Sequence, residues 1–172
     1  VDESLRAYDR LLARRPGYAE ADSNRLIALQ HQPGAEPVAL DAAHRAWALR
    51  HAPDDVQQVL PAAAGTSPRR LGFMSPRLHE GPVATFLEPL LRELDRTRFE
   101  VRLYSGSAHA DAASARLRSL ADGWCEAWRL DDAALVERLR GDRIDVLFEL
   151  SGHAPAHRLR ALARRAAPVQ VC

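Results

Sequence analysis

Two short stretches carry side chains whose types and spacing could do chemistry. The first, Ser75-Pro76-Arg77-Leu78-His79-Glu80-Gly81, puts a guanidinium, an imidazole and a carboxylate into one polar loop. A guanidinium such as Arg77 grips an anion bidentately, although a helix salt bridge would employ it equally well. An imidazole such as His79 moves protons near neutral pH if its loop folds inward. The second stretch, Ser151-Gly152-His153, follows an apolar run and is joined four residues on by His157. That spacing invites a metal pair, but Pro155 is expected to start a helix between the two rings, and the sequence offers no third ligand. No metal site is therefore expected there. Glu149 sits one residue before that loop, within a buried pattern, so an arginine partner is expected, with Arg158 the candidate.

These residues need elements to position them. Leu71-Gly72-Phe73-Met74 suits a buried strand. After Pro82 the apolar residues Val83, Phe86, Leu87, Leu90, Leu91 and Leu94 follow the spacing of one helix face. Proline at the first helical position loses no hydrogen bond there. Strand, glycine-containing loop and helix start make the opening of a βα unit, whose free N–H groups and positive dipole end suit an anion. A purely structural turn explains the same residues, with Gly81 present only for the bend. Neither GxGxxG nor GxxxxGK[ST] occurs, so no dinucleotide or P-loop fingerprint is present. Pro89 inside the helical pattern is expected to kink the helix or force a restart.

Further strands are expected at Phe99–Tyr104, Trp124–Leu130, Ile144–Leu150 and from Val169, with helices at Ala112–Leu120, from the Asp131-Asp132 cap to Arg140, and at Pro155–Arg164. Strands alternating with helices predict a parallel, doubly wound, Rossmann-like α/β sheet. In the order 3-2-1-4-5 the strands at 71–74 and 144–150 are neighbours at the switch point, where such sheets bind ligands outside their carboxyl ends. The loops 75–81 and 151–155 then face each other across one crevice, bringing His79, Gly81, Gly152 and His153 together. Upstream, residues 1–15, Ala19–Gln30 and Pro37–Arg50 read as helices separated by Pro16-Gly17 and Pro33-Gly34. They are expected to form a tetratricopeptide-like helical tail over 1–52, or simply a three-helix cap. Residues 53–69 read as a linker and 70–172 as the lobe, with its fifth strand barely entered.

Composition narrows the functions. All 24 basic residues are arginine, yet 23 acidic residues are interleaved with them and the net charge is +1. A nucleic-acid binder would show a basic stripe and a clear positive excess, so none is expected. No apolar run approaches a membrane span and no signal-like start is seen, which points to a cytoplasmic setting and no membrane partner. Cys125 and Cys172 are the only cysteines, too few for a disulfide framework. His31, His44, His51 and His109 are expected at the surface or between helices, and Trp47, Trp124 and Trp128 in packing. The start without Met and the abrupt end suggest a piece of something longer.

The stretches LGFMSPRL, GPVATFLEPLLRELDRTRFEVRLYS and GDRIDVLFELSGHAPAHRLRALARRAAPVQV, in that order and spacing, resemble the protein O-GlcNAc transferase family with its SPINDLY-type members. AAHRAWALRHA (residues 42–52) is similar to the helix joining repeats to catalytic region there. The resemblance implies a tetratricopeptide array followed by a GT-B pair of Rossmann-like lobes, of which this chain holds the first. It implies an inverting, metal-free and cofactor-free transfer of N-acetylglucosamine (fucose in some plant members) from a nucleotide sugar, UDP-GlcNAc, to Ser or Thr hydroxyls of a protein acceptor. The nucleotide would be held mainly by a second lobe, so this chain alone should not turn over. His153, in a Gly-His pair frequent in the family, would contact donor phosphates or the acceptor and is the first catalytic candidate, with His79 the second. Ser75, Arg77, Gly81, Pro82, Gly152 and Arg158 are the substrate- or donor-binding candidates.

One departure bears on activity. The family loop reads roughly Ser-x-Asp-Phe-x-x-His-Pro with an active-site His. Aligned on Ser75 and Pro82, this chain has Arg77, Leu78 and Gly81 there, and His79 comes two residues early. A non-catalytic relative, whose helical array binds a protein partner, is the alternative. An unrelated Rossmann-like small-molecule binder is a third reading.

Overall fold

The computed structural model describes residues 1–52 and 68–172. The linker expected over 53–69 lies outside the described residues except at its end, where Arg69 already belongs to the first strand. The chain divides into two units, Val1–Asp54 with His153–Pro155, and Asp55–Gly152 with Ala156–Cys172.

The first unit holds α1 (Asp2–Arg14), α2 (Ala19–Gln30) and α3 (Pro37–His51), split at Pro16-Gly17 and Pro33-Gly34 as the sequence predicts. Leu5, Ala19, Ala21, Leu26 and Trp47 form its buried apolar positions. Trp47 donates its indole N–H to the Ala19 carbonyl at 3.4 Å. Asp22 is buried here, and its Oδ2 takes His51 Nε2 at 2.8 Å and Arg50 Nη1 at 2.5 Å. A carboxylate inside a small helical unit needs such partners, because desolvating an unpaired charge is far costlier than pairing it.

The second unit contains, in chain order, β1 (Arg69–Ser75), α4 (Pro82–Glu93), β2 (Phe99–Ser105), α5 (Ala112–Ser119), β3 (Gly123–Cys125), a 3₁₀ turn (Ala127–Arg129), α6 (Asp132–Gly141), β4 (Val146–Glu149), α7 (Leu159–Ala163) and β5 (Val169–Val171). All strand pairs are parallel and the order is β3-β2-β1-β4-β5, the predicted Rossmann-like α/β arrangement. Both faces are covered. Leu71, Phe73, Val101 and Leu103 pack with Leu87 and Leu91 of α4 and Leu117 of α5. Met74, Tyr104 and Leu147 pack on the other face with Leu135, Val136 and Leu139 of α6 and Leu162 of α7. Burial on both faces is why β1 reads as a continuous apolar run rather than an alternating one.

Several boundaries differ from expectation. The strand expected to reach Leu130 stops at Cys125, opposite Tyr104 of β2, because the chain then enters the 3₁₀ turn at Ala127. The strand expected from Ile144 begins at Val146, after a turn in which Arg143 takes φ 53. The helix expected from Pro155 starts only at Leu159, since Ala156 at φ 63 breaks the helical path. Pro89 forces no restart of α4. It lies on the exposed face one turn after Thr85, also exposed, whose carbonyl loses its helical donor where water can replace it. Phe86 and Leu90, expected on the packed face, are 80% and 48% exposed and border an apolar groove of 640 Å³ with Val83 and Phe148.

Gly72 sits at the centre of β1. A Cβ there would lie 3.1 Å from Ile144 Cγ2, 3.1 Å from Leu147 Cδ1 and 3.2 Å from Tyr104 Cε2. Gly72→Ala overpacks this face and is expected to cost about 1–3 kcal/mol in urea unfolding, with the sheet's circular dichroism retained. An unchanged midpoint would contradict the close packing.

Candidate functional site at the carboxyl edge of the sheet

The carboxyl ends of β1 and β4 are neighbours, and their exit loops are tied together at the base. Ser75 Oγ lies 2.9 Å from Ser151 Oγ and also accepts the Arg77 N–H at 3.0 Å. The Leu150 N–H donates to the Met74 carbonyl at 3.0 Å, and the Gly106 N–H to the Ser75 carbonyl at 2.9 Å. Ser75 is fully buried, so it joins the loops rather than presenting a hydroxyl to solvent. The predicted meeting of the two loops thus holds at their roots.

Glu149 closes β4, with 4% of its surface exposed. Its Oε2 accepts the N–H groups of Ser151 at 3.0 Å and Gly152 at 2.7 Å, and its Oε1 has no hydrogen-bond partner among the described residues. The expected pairing with Arg158 is not formed. Arg158 Nε instead meets Asp132 Oδ1 at 2.8 Å, and its other nitrogens donate to the Ala127 and Leu130 carbonyls. This guanidinium, expected among the binding groups, braces the 3₁₀ turn and the start of α6. The reason is reach: α7 starts four residues later than the pattern implied, which sets Arg158 at its N-cap.

The other expected residues divide between the two units. His79, Gly81, Pro82 and Gly152 belong to the lobe, whereas His153 belongs to the helical unit. There its Nδ1 lies 3.1 Å from Ser23 Oγ, and its ring meets Trp47 edge-on at 4.7 Å and His44 at 5.0 Å. His157 precedes α7 and lies outside any helix shared with His153, so the expected helical separation of the pair is replaced by irregular chain. Arg77 is exposed. Pro82 takes the first helical position of α4, as expected. Gly81 at φ 147 occupies a region open to glycine and strained for other residues, although a Cβ at this position would meet nothing within 4 Å. Backbone geometry, and not space, therefore selects glycine here.

A neighbouring group escaped the sequence reading. His109 and Asp111, in the loop after β2, come up beside His79, whose ring meets His109 edge-on at 4.9 Å. Asp111 caps α5 reciprocally with Ser114 and accepts the Glu80 N–H at 2.9 Å. These donors hold its carboxyl down at about 2. The Asp-x-x-Ser spacing ahead of a helix was the available signal for this cap. His109 and Asp111 also line a 310 Å³ cavity with Ser107, Arg118, Trp124 and Trp128.

Burial pushes the Glu149 carboxyl above its ordinary 4.5, against the pull of its two amide donors. The folded chain thus holds this proton more tightly than the unfolded chain. Its contribution to stability is full below pH 4.5 and is lost as pH rises through the raised value. Glu149→Gln keeps an oxygen for both amides and cannot ionise. Denaturant midpoints of the two proteins are expected to converge in acid, with the variant the more stable at neutral pH; the reverse order would refute this account.

Known proteins resemble this chain in sequence and in fold. No family model matches the chain. A rice protein described as a probable UDP-N-acetylglucosamine–peptide N-acetylglucosaminyltransferase SPINDLY is 32% identical over 97% of this chain and 19% of its own length. The Arabidopsis thaliana protein of the same description is 32% identical over 91% of this chain and 18% of its own length. The solved structure of a Thermobaculum terrenum O-GlcNAc transferase mutant superposes with a TM-score of 0.87 at 39% identity, covering 96% of this chain and 32% of that one. The chain spans about a fifth of the length of the curated relatives it matches. Over that one segment, in sequence and in fold, the chain is similar to the protein O-GlcNAc transferase and SPINDLY-type proteins.

Proposed function

We propose that the protein to which this chain belongs is an inverting glycosyltransferase that moves N-acetylglucosamine from UDP-GlcNAc to Ser or Thr hydroxyls of a protein acceptor. The chain would supply the first Rossmann-like lobe and the end of a tetratricopeptide-like array. The observation carrying this reading is the likeness to O-GlcNAc transferases across nearly the whole chain, on a sheet whose β1 and β4 exits are tied together by Ser75 and Ser151. The acceptor oxygen would attack the anomeric carbon and give its proton to a base. The bond from that carbon to the diphosphate breaks, and the nucleoside diphosphate leaves from the opposite face. His153 is the first candidate to contact the acceptor or the phosphates, and His79 the second. The start of α4 at Pro82, with its free N–H groups, suits the developing negative charge. Arg77 and Gly152 are further candidates to bind donor or substrate. The nucleotide would be bound mainly by a second lobe, the acceptor in part by the helical array, and the setting would be cytoplasmic.

One observation favours a second reading. Gly81 stands where the family's active-site His is expected, and its φ of 147 would strain any side chain. A relative without transferase activity, serving as a protein-interaction module, fits that loss.

The two readings part in one assay on the full protein carrying this chain. It is incubated with UDP-GlcNAc and Ser/Thr peptides, and sugar addition is followed by mass spectrometry. The transferase reading expects modified peptide, and at least about a hundredfold loss of rate in His153→Ala with its circular dichroism unchanged. Peptide binding with neither transfer nor sugar-nucleotide hydrolysis would instead establish the interaction module.

A further inference from the structure

We propose that His79, His109 and Asp111 form a binding site for a divalent transition-metal ion of the Zn²⁺ class. The inference does not rest on the transferase reading: the transfer proposed above needs no metal, and an ion held by His79 would leave His153 as its histidine candidate.

Topology brings the ligands together. β1 and β2 end side by side, with Ser75 opposite Ser105, so the loops that follow leave the sheet as neighbours. His79 lies in the first of these loops and His109 and Asp111 in the second. One ligand atom from each falls within 4.8 Å of the other two, and His109 Nε2 is already 3.8 Å from Asp111 Oδ2. Around an ion with bonds of about 2.0–2.1 Å, tetrahedral ligand atoms stand roughly 3.3–3.4 Å apart. The remaining closure is at most about 1.5 Å, within reach of a His109 side chain that is 63% exposed.

Two of the ligands are already oriented, both by the main chain of Glu80. The His79 Nδ1 faces the Glu80 carbonyl at 3.2 Å. A carbonyl only accepts, so Nδ1 carries the hydrogen and Nε2 keeps its lone pair for an ion. Metal-bound histidines are held in this way by an outer carbonyl or carboxylate. The Glu80 N–H donates to Asp111 Oδ2, while Asp111 Oδ1 takes the Ser114 N–H at 3.0 Å. Asp111 Oδ2, the oxygen on the His109 side, retains a lone pair after its one such bond. One peptide segment thus sets an imidazole from one loop against a carboxylate from the other.

Chemistry narrows the ion. Two imidazoles and one carboxylate suit Zn²⁺, Co²⁺, Ni²⁺ or Cu²⁺, whereas Mg²⁺ and Ca²⁺ prefer all-oxygen shells. Three protein ligands leave a coordination position for water or a small anion, the pattern of an open site and not of a closed structural one. The competing description is a surface pair of edge-on rings beside an ordinary helix cap. It predicts no metal affinity.

Titration calorimetry of the chelator-treated full chain with Zn²⁺, alongside Co²⁺ absorption, separates the two descriptions. One ion per chain is expected, with Co²⁺ visible bands of a low-coordinate site and no thiolate charge-transfer band. His79→Ala and His109→Ala should each weaken binding by at least about tenfold, and the double variant should abolish it. Asp111→Asn keeps an N-cap acceptor and so the fold, and should also weaken binding. His31→Ala, in the helical unit, should change nothing. Absence of binding, affinity indifferent to the double variant, or a thiolate band from Cys125 or Cys172 would each overturn the proposal.

Discussion

Parallel pairing of β1 on both of its sides is the constraint from which the rest of the lobe follows. Its whole length registers against β2, from Arg69 opposite Phe99 to Ser75 opposite Ser105, and its second half against β4, ending with Met74 opposite Glu149. A strand paired on both edges must be apolar where both its faces are covered, here Leu71 to Met74, and leave no main-chain group unpaired. It must also be thin where its neighbours close in, which is the role of Gly72. The same pairing lines up the exits of β2, β1 and β4 in one row, so every candidate group of the lobe arises at one edge.

At that edge main-chain amides brace the loops through two carboxylates. Glu149 and Asp111 each collect two backbone N–H donors, yet their carboxyls are pushed in opposite directions. For Glu149 desolvation outweighs the donors; for Asp111, closer to solvent, the donors prevail. Location relative to the core, and not residue type or partner number, decides the sign. The arginines follow the same logic, since most pair at the surface, where each pair adds little. Arg158 is an exception, largely enclosed and committed to Asp132 and two carbonyls.

Local rules were legible wherever the local signal was strong. Pro16-Gly17, Pro33-Gly34 and Pro37 bounded the first helices, and the Asp131 cap opened α6 with its carboxylate on the Ala134 N–H. The apolar runs of β1 and β2 and the alternation of strands with helices were enough for the strand order. Boundaries failed where a backbone turns. Nothing in Trp124–Leu130 announces the 3₁₀ turn at Ala127, and nothing in Ala156 announces a left-handed conformation. Phe86 and Leu90 match helical spacing, but only the packed sheet decides how wide a stripe of α4 it covers.

The candidate site divides in the same way. Sequence alone determined which residues could do chemistry, that they cluster after strands, and that the loops at 75–81 and 151–155 leave neighbouring strands, because periodicity and strand order are local and combinatorial facts. Tertiary structure alone decided who meets whom: Glu149 with loop amides instead of Arg158, His79 with His109, and His153 with Trp47. Such meetings join residues far apart in the chain, and burial, which no local pattern encodes, sets both their partners and their charge.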